Sequence, residues 1–220
     1  MPSRHDYPPS SYSWRRFYKL IQTTGKCDYD KFRKLKIRKN LPKRIRSSKR
    51  NYREYCNDLD KFHNCLFGKQ SRVYVKLVPN MGLGIFARKR LKKDEQLVDL
   101  PGARHMCSKT QVSNLEHFNN ETCFVKMTRN AAANSPQRDC YLSGTLALLN
   151  HSCTPNAKMF EIFRKRGKTQ KGHGKHIDIF PYLLRTIRKD EQICLDYGES
   201  WWNSDVKDQL ICKCNSCSTS

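Results

Sequence analysis

The chain has 220 residues, enough for one compact domain with an extension, and a body of about 150 residues buries roughly 70% of its unfolded surface. Its 43 Lys and Arg against 20 Asp and Glu leave a net charge of +23, a field that draws polyanions such as nucleic acid, or one kept simply for solubility. No apolar run reaches the ~20 residues of a membrane span, and residues 1–6 lack the apolar core of a signal peptide, so an intracellular protein with no membrane partner is expected.

In chain order, Tyr7-Pro8-Pro9-Ser10-Ser11-Tyr12-Ser13 reads as irregular. From Lys31 to Arg53 there are twelve basic residues and no acidic one, so self-repulsion predicts an extended arm awaiting a polyanion. Tyr52, Tyr55 and Phe62, interleaved with or just beyond the charges, either stack on bases or pack back on the body. A boundary is expected near Gly68. Beyond it, Val73 to Val78 is rich in β-formers and stops at Pro79-Asn80, and Gly84 to Ala87 begins a second strand. Gln96 to Leu100, His176 to Phe180 and Glu191 to Leu195 read as three more. Helical pattern is confined to Ser108 to Phe118 and Ser143 to Leu149. The stretch from Arg164 to His176 reads as a solvated loop, in which His173 and His176 are the only metal candidates. No internal repeat is evident. A mostly β body with few short helices is predicted.

Gly82-Leu83-Gly84-Ile85-Phe86-Ala87 matches a dinucleotide fingerprint, with Asp99 where the ribose acid would stand. A parallel crossover needs a dozen or more residues between its strands, and residues 88–95 are too few. The two glycines are better read as a place where backbone turns sharply or approaches something closely.

The run Asn150-His151-Ser152-Cys153-Thr154-Pro155-Asn156 lies ahead of Leu195-Asp196-Tyr197-Gly198, which in turn precedes Cys212-Lys213-Cys214-Asn215-Ser216-Cys217. Taken alone, His151 would be an ordinary core histidine and Tyr197 a strand-end anchor. In this order, with the G-x-G segment ahead of them, they resemble the SET-domain protein lysine methyltransferases over residues 71–217. The resemblance implies a SET fold, with β-clip-like small sheets and a knot-like crossing of the C-terminal segments. Residues 1–67 would be a basic, partly disordered extension, 68–200 the SET domain and 201–220 a post-SET zinc-binding tail.

The resemblance also assigns roles. Gly82, Leu83, Gly84, Asn150, His151 and Tyr197 would hold S-adenosylmethionine, and Tyr197 would be the catalytic tyrosine. Exposed lysine titrates near 10.4, so methyl transfer needs a channel that favours the neutral amine; desolvation beside a cation does so. Tyr197 is then a positioner rather than a strong base. Leu195 stands where many members carry Phe or Tyr, and its smaller side chain predicts room for di- or trimethylation. Trp201 and Trp202 would line the same channel. Cys212, Cys214 and Cys217 supply three thiolates for a structural zinc, and in the family the fourth ligand is the cysteine here numbered Cys153.

Two departures stand out. The last two tail cysteines are closer together than in most members, and Ala147-Leu148-Leu149 replaces the usual Arg-Phe-Ile. Cys27, Cys56 and Cys65 are too scattered for a pre-SET cluster, and Cys107, Cys123, Cys140 and Cys194 read as small hydrophobes. The expected substrate is a histone tail lysine, with Lys31 to Arg53 on nucleic acid and the protein in the nucleus, although no residue excludes a non-histone target in the cytosol. The competing expectation is an inactive SET scaffold that binds chromatin or nucleic acid through its charge.

Overall fold

The computed structural model describes residues 9–98, 100, 102–106, 123–128, 137–163, 177–198, 212 and 214. Helices come first. α1 (Pro9–Ile21) buries Trp14, Phe17 and Ile21, spaced three and four apart on one face. α2 (Tyr29–Leu35) opens with the Asp28 carboxylate accepting the Lys31 N–H at 3.0 Å and buries Phe32. A single 3-10 turn (Arg38–Asn40) and α3 (Lys43–Arg46) lead to α4 (Lys49–Phe67), whose Ser48 cap accepts from Asn51 N–H at 3.2 Å. α4 buries Tyr55, Leu59, Phe62 and Leu66, and Trp14 meets Phe62 edge-on at 5.0 Å.

The basic segment is therefore folded, not extended. Its cations alternate with Phe32, Leu41 and Ile45, all buried, and burying one such side chain is worth about 1.5–3 kcal/mol. Repulsion between exposed, screened charges is weaker than that. The cations point outward and find acids supplied later in α4: Lys36 pairs with Asp60, and Arg50 with Glu54 at 2.9 Å. The aromatic residues pack inward. Tyr55 is fully buried and donates to Leu35 O at 3.0 Å, and Tyr52 donates to Lys36 O at 2.9 Å.

After Gly68, where a Cβ would lie 2.3 Å from Asn64 O, the chain turns to strands. β1 (Val73–Val78) and β2 (Gly82–Ala87) form an antiparallel hairpin, and α4 packs on β1. β3 (Gly102–Met106), β4 (Cys123–Thr128) and β5 (Gln137–Gly144) form a second sheet in the order β3-β5-β4. β6 (Asn150–His151), β7 (Ala157–Phe163), β8 (Ile177–Leu183) and β9 (Cys194–Leu195) form the third, in the order β6-β9-β7-β8. Small sheets with few helices among them are the architecture expected of the body, and one apolar core runs from α1 to Leu195. Among the described residues no helix is long and apolar enough to cross a membrane.

Two expected elements differ. Gln96 to Leu100 contributes only a bridge between Gln96 and Tyr182, because the chain turns there to bury Leu97 and Leu100. From Ser143 to Leu149, only Thr145–Leu148 is helical, a 3-10 turn entered through Gly144 at φ 84°. That left-handed residue ends β5 and starts no α-helix. The expected helix from Ser108 to Phe118, the loop from Arg164 to His176, and Cys107 lie outside the described residues.

A repeat does exist. Lys93-Asp94-Glu95-Gln96 recurs as Lys189-Asp190-Glu191-Gln192. Leu91 and Ile187 exchange both backbone hydrogen bonds at 3.0 Å, and around that bridge the two segments match closely. Asp94 and Asp190 sit at φ 66° and 64°. Glu95 and Glu191 each accept, at 2.9 Å, the backbone N–H three residues before them. Tyr182 donates to Asp94 and Tyr74 to Asp190. Arg72 pairs with Glu95 and Arg185 with Glu191. Four shared letters in 220 are too few to see in one dimension; the matched hydrogen bonds make the pseudo-symmetry visible.

Candidate active site at the chain crossing

The second of these turns feeds a crossing of two distant segments. β6 lies parallel to β9, pairing Asn150 with Cys194 and His151 with Leu195, and Ser152 N–H donates to Leu195 O at 2.9 Å. Asn156, 3% exposed, locks the crossing. Its amide donates to Gln192 O at 2.7 Å and to Glu191 Oε1 at 3.3 Å, while its Oδ1 accepts Cys194 N–H at 2.8 Å. Partial burial pushes the Glu191 carboxyl up, but the hydrogen bonds from Arg188 N–H, Arg185 and Asn156 outweigh that and hold it below the ordinary glutamate value.

The residues expected at the site converge here. Tyr197 Oη donates to Leu149 O at 2.8 Å, Tyr197 N–H donates to His151 Nδ1 at 3.2 Å, and the two rings stand 5.4 Å apart. His151 is 6% exposed, and desolvation holds its imidazole below the ordinary value despite the nearby Asp196 carboxylate, which favours the charged form. On the other side, the Asn150 amide donates to Leu83 O at 3.3 Å, which joins the G-x-G segment to the crossing. A Cβ on Gly84 would fall 2.6 Å from Gln192 Nε2 and 3.1 Å from Asn150 Nδ2, so only glycine lets these side chains lie against that strand. Gly82, at φ 75°, has nothing within 4 Å of where a Cβ would stand, and its backbone faces open space. Leu195 is buried in the same region.

Behind His151 stands a thiol group. Cys153 Sγ is 3.3 Å from His151 Nε2 and 3.8 Å from Cys212 Sγ, and Cys153 N–H points to Cys214 Sγ at 3.5 Å. Two thiolates ~2.3 Å from one tetrahedral ion lie about 3.8 Å apart, whereas a disulfide would bring them to ~2.05 Å. The spacing of Cys153 and Cys212 thus suits two ligands of one tetrahedral metal such as zinc. Cys217, Trp201 and Trp202 lie outside the described residues, as do the side chains of Cys123 and Cys140. Partial burial first, and then the neighbouring Cys214, push the Cys194 thiol up to about 11, so it stays protonated as a small half-buried group.

The SET domain family model matches residues 82–198, which span the G-x-G segment, the crossing and Tyr197. The chain belongs to the SET-domain family. That family consists of protein lysine methyltransferases, and this SET domain holds both segments of the crossing. No curated protein matches the chain. Among solved structures, a Plasmodium falciparum protein whose name carries a proposed histone methyltransferase activity is 21% identical; the match covers 61% of this chain and 99% of that one, with a TM-score of 0.41. At that level of likeness the family assignment rests on the SET match alone.

Sequence reasoning overlooked two residues of this SET crossing. Asn156 was visible only as the end of a motif, and its three side-chain bonds depend on a partner segment about forty residues on. Gln192 was read as a strand residue, yet its Nε2 is buried beside Gly84 with no hydrogen-bond partner among the described residues. Its one mark in the sequence is the short Lys-Asp-Glu-Gln repeat, which only the matched hydrogen bonds of the two turns make visible.

Proposed function

We propose that the chain is an S-adenosylmethionine-dependent lysine N-methyltransferase acting on a histone tail. The observation that carries this reading is the meeting of Asn150 and His151 with Tyr197 at a buried crossing beside the G-x-G segment. S-adenosylmethionine supplies a methyl group on a sulfonium. Asn150, His151 and the backbone at Gly82, Leu83 and Gly84 are the groups that would hold it, with Gln192 Nε2 as a buried donor in need of a partner.

Tyr197 directs its own proton to Leu149 O, so toward a substrate amine its oxygen acts as an acceptor. That suits a positioner. The apolar side chains of Leu149 and Leu195 exclude water and disfavour ammonium, so the lysine can attack as the neutral amine. The compact Leu195 favours di- or trimethylation. Cys153, Cys212, Cys214 and Cys217 would hold a structural zinc in a post-SET tail, and by the family resemblance Trp201 and Trp202 would line the lysine channel.

The charge supports a nuclear, chromatin-bound protein. The basic helices turn their cations outward, and the paired turns bring Arg90, Arg188 and Lys189, beside the Arg185–Glu191 ion pair and Asp190, around a cleft of about 940 Å³. Contacts of that kind with DNA phosphates weaken steeply with salt.

Radiolabelled methyl transfer onto mixed core histones, wild type beside Tyr197→Phe, tests the activity. Label on one histone with wild type, and its loss in the variant, is expected. A well-folded wild type that binds nucleosomes yet transfers no label to histone or other protein would leave the scaffold reading, which the high positive charge favours.

A further inference from the structure

We propose that His151 is a positioning residue that couples the thiol group to Tyr197, donating to Cys153 on one side and accepting from Tyr197 on the other. The inference rests on the zinc reading above and goes beyond it. His151, Cys153 and Cys212 bring three donor atoms within 4.8 Å of one another, which on distance alone would suit a His-Cys-Cys metal set. The hydrogen bonds decide against imidazole as a ligand. Tyr197 N–H points at Nδ1 at 3.2 Å, so Nδ1 must offer its lone pair; a proton there would set two donors face to face. The Asp196 carboxylate cannot claim such a proton, since its nearest oxygen is 3.8 Å away and already accepts Gly198 N–H at 2.9 Å. The imidazole proton therefore sits on Nε2, directed at Cys153 Sγ at 3.3 Å. A protonated nitrogen cannot bind a metal, but it is a good donor to a metal-bound thiolate.

The consequence is a two-bond relay. A metal held at Cys153 would bind the sulfur as thiolate, its proton passing to solvent, and the N–H···S bond at 3.3 Å would then fix the ring plane more firmly. A fixed ring holds Tyr197 N–H in place, and with it the phenol that bonds to Leu149 O. Groups that orient a metal ligand from behind typically change metal affinity 10- to 100-fold when removed.

Zinc affinity by chelator competition, on the full chain, tests the relay with two variants. His151→Phe keeps the ring and deletes both hydrogen bonds; His151→Gln keeps one donor and one acceptor. Expected is a loss of zinc affinity of about tenfold or more in the Phe variant and its recovery in Gln. A 3-fluorotyrosine at position 197 should shift its fluorine resonance on zinc addition in wild type and Gln, and stay still in Phe. Equal zinc affinity in all three proteins, or an equal resonance shift in Phe, overturns the proposal. So does a changed cobalt(II) d–d spectrum in the Phe variant, which would make His151 a direct ligand. None of these readouts uses methyl transfer, so failure here is distinct from failure of the enzymatic reading.

Discussion

The turns at Lys93-Asp94-Glu95-Gln96 and Lys189-Asp190-Glu191-Gln192 have one local structure and different surroundings. Both hold an aspartate in the left-handed region, both tie a glutamate to the backbone N–H three residues earlier, and both receive a tyrosine hydroxyl. After the first, the chain bends away and leaves Val98 65% exposed. After the second, it enters a sheet between β6 and β7, with Asn156 bonded across it. The turn is a generic corner. The proposed chemistry is assigned to the half through which a second segment threads.

The largest effect that would sharpen this contrast is on activity. Tyr197→Phe, at the threaded half, should lower methyl transfer by roughly 10²-fold or more through lost positioning. Tyr182→Phe, at the other turn, should leave the rate near wild type and cost little stability, since its bond to Asp94 is exposed to solvent. Equal losses of activity would dissolve the distinction.

Next comes stability. Asn156→Ala leaves Cys194 N–H and Gln192 O without their partner, and urea unfolding should show a loss of about 2–4 kcal/mol. A loss below that of Tyr182→Phe would mean that the crossing is not locked where the structure places the lock.

Acid sensitivity ranks third. The Glu191 carboxyl is held below its ordinary value in the folded chain, so the unfolded chain takes up its proton first as pH falls. Its stabilisation is present above the unfolded value and is lost as pH falls through the lowered native one. Glu191→Gln should therefore flatten the acid limb of a stability–pH curve. An unchanged limb would show that the Arg185 and Asn156 contacts do not favour the ionised form.

The smallest expected effect is at the corners themselves. Asn tolerates the left-handed region as Asp does, so Asp94→Asn and Asp190→Asn should each change stability by less than about 1 kcal/mol, and by similar amounts. Unequal effects in thermal unfolding would break the equivalence of the two turns.

Much of the hairpin and the site was legible. Val73 to Val78 has β-formers up to Pro79-Asn80, and the structure places a strand on those residues. The helices before Gly68 run against the expectation of an extended arm, although Tyr55, Leu59, Phe62 and Leu66 recur at helical spacing. Within Lys31 to Arg53 the dense positive charge masks the buried Phe32, Leu41 and Ile45. Gln96 to Leu100 misled for the opposite reason: its apolar letters serve a turn into the core, and nothing local distinguishes that from a strand.

What the sequence determined by itself is the inventory: an asparagine–histidine pair, a tyrosine after an apolar strand, three closely spaced cysteines near the C-terminus, and two glycines two residues apart after a strand. These are properties of residue type and short spacing. Only the tertiary structure decided that they meet, because Asn150 pairs with Cys194 in parallel, and a parallel partner is set by long-range packing rather than by any neighbouring residue. The direction of the His151 proton was settled there as well, since it depends on a backbone N–H forty-six residues away.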